Sequence, residues 1–217
     1  MNYFKITHIP KVKWSSDSPF NIKPSLKTLF FLIFGLTLFG LGEALLIVSN
    51  LGVTPWTVFA EGVAKNLNIS IGLATFLVSI SILILWIPLK QKIGIGTVSN
   101  AVIIAVTIDL FVYLLPYSSN IVLSIFEMIF GILLVGVGSG IYLITNLGPG
   151  TRDGLMKGIS ENFKKPIYII RLSIEITVVI LGWLLGGTVG LGTLMFAILI
   201  GPIISVSLVL IKSTDKK

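Results

Sequence analysis

The residues of this sequence that could do chemistry are ionisable side chains set inside long apolar runs. Glu43 interrupts the run 29–48, Asp109 lies in the run 95–115, and Glu127 in 121–145. Arg171 and Glu175 share the run 167–186. A charge in hydrocarbon is costly, so one that persists there usually pairs with another, lines a solute or ion pathway, or relays protons. Glu43 and Asp109 lie deepest in their runs and are candidates for proton or cation coupling. Arg171 and Glu175 are one helical turn apart, the spacing of an intrahelical ion pair. That pair reads equally as a self-satisfied structural element or as part of a pathway. Glu127 sits a turn or two from the end of its run, where a side chain can reach the interface.

Other chemistry is excluded by what the chain lacks. It has no Cys, and its single histidine is His8, near the amino terminus. Disulfides, thiolate catalysis, histidine-based metal sites and a Ser-His-Asp triad therefore have no material. No catalytic residue, metal ligand or cofactor is expected, and the chain does not read as an enzyme.

A second group of candidates lies at two chain breaks. Asn50-Leu51-Gly52 is followed by Val53-Thr54-Pro55-Trp56, and Asn146-Leu147-Gly148 by Pro149-Gly150-Thr151-Arg152-Asp153. Thr54 suits a helix N-cap and Pro55 the first helical position. Gly148 and Gly150 permit tight turns. The segments that follow are amphipathic. Trp56, Phe59, Val63 and Leu67 share one face, Glu61 and Lys65 lie four apart, and Asp153, Lys157, Glu161 and Lys165 form an i,i+4 ladder. One reading makes them interfacial helices with solvated charges. The other has them re-entrant, aiming helix N-termini, with Arg152 beside them, at an anionic group.

The elements that must position these groups are membrane helices. Of 217 residues, 54% are hydrophobic and only 12% charged, about half the charged share of a soluble domain, and mean hydropathy is +1.01. The runs are long enough to span a bilayer and lack the period-two alternation of barrel strands. Six spans can be drawn, at 27–49, 70–89, 95–115, 121–145, 167–186 and 191–211. All basic residues except Lys65 and Arg171 fall in the amino tail counted through Lys27, linkers 90–94 and 146–166, and the carboxyl tail. By the positive-inside rule those segments and both termini are cytoplasmic. The net charge of +7 is thereby a topology signal and not a nucleic-acid footprint.

The chain also repeats itself. Asn50-Leu51-Gly52 recurs at Asn146-Leu147-Gly148, an offset of 146 − 50 = 96 residues. At the same offset Gly35, Gly40 and Gly42 fall on Gly131, Gly136 and Gly138, Gly62 on Gly158, and Gly94, Gly96 and Thr97 on Gly190, Gly192 and Thr193. Similar apolar composition does not align glycines and a tripeptide, so a duplication is the better account. Three spans per half is an odd number, so the second half must enter from the opposite face. The expected fold is all-α and polytopic: about six transmembrane helices as two inverted three-helix repeats, each with an additional short amphipathic or re-entrant helix. The parts are a basic tail at 1–26, repeats at 27–116 and 121–211, and a tail at 212–217. Gly136 and Gly140, and Gly182 and Gly186, have the GxxxG spacing of close helix packing. The first and fourth spans, both glycine-rich, are expected to pack together.

The stretch from Leu147 to Met156, with its counterpart Leu51 to Trp56, resembles the loop motifs of the YczE/YyaS/YitT-like bacterial membrane proteins. Trp86-Ile87-Pro88-Leu89, Gly182-Trp183-Leu184-Leu185-Gly186-Gly187 and Gly201-Pro202 add to the resemblance. Members often carry Pro-Trp-Asp in the first half, and here Thr57 takes the Asp position. The resemblance implies a bacterial inner-membrane protein and no settled activity.

Function follows from the pattern in two ways. A small-solute transporter or exporter would use Glu43 and Asp109 for coupling, with Arg152 and the linker N-termini at the substrate and Asp153, Arg171 and Glu175 along the pathway. The alternative is a non-transporting accessory or scaffold protein acting on a membrane-associated partner. Substrate, coupling ion and oligomeric state are not encoded in any motif found.

Overall fold

A computed structural model describes residues 9–215, so Lys5, His8, Lys216 and Lys217 of the tails lie outside the described residues. The fold is all-helical, with eight helices among the described residues: α1 (Leu26–Ser49), α2 (Pro55–Leu67), α3 (Ile71–Trp86), α4 (Ile95–Leu114), α5 (Ile121–Ile144), α6 (Thr151–Phe163), α7 (Ile167–Leu184) and α8 (Leu191–Thr214). Their starts follow local chemistry. The side chains of Ser25, Thr54, Ser70 and Asn120 accept backbone N–H groups from the first turns of α1, α2, α3 and α5. Thr54 and Pro55 take the cap and first-turn places expected of them.

Helices α1, α4, α5, α7 and α8 are each long and apolar enough to cross a membrane. A sixth crossing exists only if α2 and α3, bent by 111° at their junction, form one broken span. The expected helix at 70–89 is therefore shorter than drawn. Its 16 residues rise about 24 Å, against a hydrocarbon core of about 30 Å. Pro88 has no N–H to continue the ladder, so α3 stops at Trp86.

The described part of the amino tail, expected as a basic cytoplasmic tail, is docked on the helices. Val12 and Trp14 are buried with Ile144 and Leu208, and Trp14 stacks on Phe31 at 4.2 Å between ring centroids. Ser16 N–H donates to the Thr145 carbonyl at 2.9 Å, and Asn146 Nδ2 donates to the Ser16 carbonyl at 2.8 Å.

The 96-residue offset reappears in the backbone. Every described residue with positive φ has its offset partner in the same conformation: Asn50 and Asn146, Gly52 and Gly148, Asn68 and Lys164, Lys90 and Gly186. At Gly52 and Gly148 φ is +105° and +113°, which L side chains rarely adopt. Packing follows the same rule. Helix α1 packs on α4 as α5 packs on α8, and α2 on α7 as α3 on α6. Gly96 N–H donates to the Leu147 carbonyl and Gly192 N–H to the Leu51 carbonyl, both at 2.7 Å.

The centre of this arrangement is the α1–α5 seam, which joins the first and fourth expected spans. Gly35 faces Gly138 and Gly42 faces Gly131, close enough that a methyl carbon on any of the four would lie 2.5–2.9 Å from the facing carbonyl oxygen. Each contact is the exchange of the other: 35 meets 42 + 96, and 42 meets 35 + 96. The two GxxxG pairs behave differently. Gly136 and Gly140 pack on Ile203 and Ser207 of α8, and Gly182 packs on α2 at Val58 and Phe59. Gly186 instead lies beyond the end of α7 with φ +94° and serves a turn.

Candidate functional site

A cavity of about 390 Å³ lies where the two chain breaks meet, and all eight helices contribute to its wall. The offset governs its lining. Trp56 and Arg152, Thr75 and Arg171, Ser79 and Glu175, Asn100 and Phe196 are offset partners that line it together. The cavity thus straddles the relation between the halves. The N-termini of α2 and α6 both reach it, through Pro55 and Trp56 and through Thr151 and Arg152. The α6 start is capped by Gly150, which offers no side chain, so its first-turn N–H groups are left for another acceptor.

The charged groups fall into two classes. The carboxylates are supplied with donors. Glu43 is 1% exposed and accepts from the Thr54 hydroxyl at 3.1 Å and the Thr57 hydroxyl at 2.7 Å. It stands behind the cavity wall, close enough to Arg152 to attract it. Asp153 accepts from the Tyr142 hydroxyl at 3.1 Å, and Glu175 accepts from Arg171 Nε at 2.8 Å. Arg152 is in the other class. Its guanidinium lies 5.4 Å from the Trp56 ring centroid, a cation–π stack, and among the described residues it has no hydrogen-bonded carboxylate. It sits deep in the fold yet keeps accessible surface because it faces the cavity.

The sequence-derived candidates are thus divided by the structure. Arg152, Asp153, Arg171, Glu175, Pro55, Trp56, Pro149 and Gly150 line the cavity, with Glu43 one layer behind through Thr54. Asn50, Gly52, Asn146 and Gly148 form the bends that carry α2 and α6 inward. Asp109 is elsewhere. Its carboxylate accepts from Ser70 Oγ at 2.5 Å and Gly72 N–H at 2.7 Å, fastening α4 to the start of α3. Asp109→Ala is expected to cost about 1–2 kcal/mol of stability, as loss of a helix cap does, and to leave flux unchanged. Thermal unfolding and a liposome flux assay check the two halves of that statement. Glu127 lies apart from the cavity on α5, its Oε2 without a partner among the described residues.

Of the two readings of the amphipathic segments, the solvated interfacial one does not fit the first. Helix α2 is not a solvated interfacial helix: Glu61 is 5% exposed and accepts the Thr188 N–H at 2.7 Å, while Lys65 donates to the Gly186 carbonyl. Of the expected ladder in α6, only Lys157–Glu161 forms among the described residues, at 3.8 Å, because Asp153 turns to Tyr142. A second cavity of about 350 Å³ is lined by Glu61, Lys65, Tyr117 and Thr188. Burial there, and then the charge of Glu61, hold the Tyr117 phenol above its usual pKa.

Sequence reasoning passes over Thr75 and Tyr142, both in the first cavity's wall. Thr75 is within its reach, since it is the offset partner of Arg171. Tyr142 carries no such signal.

Residues 26–208 match a family described as a family of unknown function, DUF6198. The chain belongs to this family. Among curated relatives, an uncharacterized protein of Haemophilus influenzae is 40% identical over 200 residues, covering 92% of this chain and 91% of that one. The uncharacterized membrane protein YczE of Bacillus subtilis is 32% identical over 80% of this chain and 82% of its own length. The uncharacterized protein YyaS of the same organism is 28% identical over 79% and 88%. The family motifs noted in the sequence thus point to true relatives. With five apolar helices of spanning length, the chain is a multi-pass membrane protein. No solved structure matches it.

Proposed function

We propose that this protein is a small-solute transporter or exporter of the bacterial inner membrane, built as two repeats of inverted topology around the first cavity. The observation that carries the reading is the lining itself, in which residues equivalent by the repeat face one space beside two helix N-termini. Secondary transporters place their sites at such repeat interfaces, where broken helices end. Both termini are cytoplasmic in this reading.

The two cavities support alternating access. Leu143, Lys157 and Ile167 extend the first cavity towards the docked amino tail, and their offset partners Ile47, Glu61 and Ile71 line the second. In this reading the first is the substrate site on the cytoplasmic side, and the second is its repeat-related counterpart on the outer side. Glu61 on Thr188 and Asn66 on the Leu185 carbonyl tie α2 to the end of α7 and the turn after it on that side. The accessory-protein reading draws support from the local pairing of Arg171 with Glu175 and of Asp109 with the α3 start, but it leaves the shared cavity without a use.

Flux of protons and of a panel of small solutes through purified protein in liposomes tests the reading, and no flux with folded, oriented protein ends it. Orientation has its own test, made simple by the absence of cysteine. In intact cells a membrane-impermeant maleimide is expected to label Ser119→Cys and spare Lys92→Cys. The reverse pattern would invert the topology.

A further inference from the structure

We propose that the first cavity binds the carboxylate of a small organic acid, held by Arg152 and the start of α6 with its body against the apolar wall. This rests on the transporter reading for its biological use and on the cavity alone for its chemistry.

Around this cavity, buried polar groups able to donate are left without acceptors among the described residues. Each carboxylate near it is already supplied: Glu43 by Thr54 and Thr57, Asp153 by Tyr142, Glu175 by Arg171. Trp56 Nε1, Thr75 Oγ1 and Thr151 Oγ1 are buried without hydrogen-bond partners among the described residues, and all three residues line the cavity. Trp56 is 6%, Thr75 2% and Thr151 1% exposed. An indole N–H can only donate, and a guanidinium has no acceptor at all. Leaving buried donors unmade costs free energy, so the missing group is one that accepts several hydrogen bonds at once. A carboxylate has two oxygens and about four lone-pair sites. The uncapped first turn of α6 adds free N–H groups and the positive end of a helix dipole.

The rest of the wall describes the rest of the solute. Phe39, Ile104, Phe196 and Ile200 line the same space, and a volume of about 390 Å³ exceeds what an inorganic anion needs. Glu175 pairs with Arg171 and Glu161 with Lys157, and Asp153 turns to the Tyr142 hydroxyl, which leaves Arg152 as the lining cation without an ion-pair partner among the described residues.

The experiment is isothermal titration of the full-length protein in nanodiscs with hexanoate, benzoate, hexanamide, hexylammonium and inorganic phosphate. Hexanoate or benzoate is expected to bind, with the amide and the ammonium at least about 10-fold weaker. Arg152→Gln should weaken binding about 10- to 100-fold, as loss of a charged hydrogen bond does, and Trp56→Phe about 5-fold. Thr75→Val, nearly isosteric, serves if Arg152→Gln does not fold, with a loss of about 5-fold expected. Equal binding of the amide or ammonium, tighter binding of phosphate than of either carboxylate, failure of both carboxylates to bind, or unchanged affinity in the folded variants would overturn the proposal. Binding without flux in liposomes would leave this site standing and remove the transporter. Flux with no preference for anions would do the opposite.

Discussion

Glu43→Gln is expected to lower flux through the reconstituted protein by at least about 100-fold, the scale set by a positioned proton-transferring side chain, while the protein stays folded. Glu43 is almost wholly buried, and its only direct partners among the described residues are the hydroxyls of Thr54 and Thr57. Those hydroxyls stand at the start of α2, the helix whose N-terminus meets the cavity, and Arg152 at the start of α6 is near enough for the two charges to attract. One carboxylate therefore bears on both broken elements. A change in its charge alters the hold of α1 on the α2 start and the attraction to Arg152 together, which is what coupling a proton or cation to a moving solute requires. Gln keeps the shape and can still hydrogen-bond to both hydroxyls, so packing is preserved and only the titration is lost. Flux by Glu43→Gln equal to wild type would reduce Glu43 to a structural anchor.

The second large effect concerns assembly. Gly138→Val is expected to destabilise the protein by at least about 3 kcal/mol, the upper range for overpacking a core, and to appear as aggregation on size-exclusion chromatography. A carbon added at Gly138 meets the Gly35 carbonyl at 2.5 Å and the Phe39 N at 2.7 Å, both backbone atoms that cannot swing away. Two helices must separate to admit it, and Gly42 against Gly131 must separate with them. Gly201→Ala in α8 is the matched control. Apart from its chain neighbours and its own helix backbone, nothing lies within 4 Å of its added carbon, so its stability should stay within about 1 kcal/mol of wild type even with Pro202 next in the helix. A folded, monodisperse Gly138→Val protein with wild-type melting would mean that the α1–α5 seam is looser than its glycines indicate.

Much of the architecture is written in local features. Caps such as Thr54-Pro55 act within one turn, and apolar runs such as 121–145 mark helices whatever surrounds them, so their positions emerge from sequence to within a few residues. The glycine register at an offset of 96 is likewise local at each copy, and it is enough to set the first and fourth spans against each other. The chain thus determined by itself that it is a helical membrane protein with a glycine register recurring at an offset of 96, without cysteine or histidine in its spans, and with its charges confined to a few named places. Which of those charges meet was decided only by tertiary structure. Asp109 and Glu43 look alike in sequence, each a lone carboxylate in an apolar run. Packing sends Asp109 to cap α3 and Glu43 to the joint between two helix starts, because burial and hydrogen-bond partners come from segments distant in the chain. Trp56 and Arg152, 96 residues apart, stack across the cavity for the same reason: no local propensity specifies a neighbour that only the folding of one half against the other can supply.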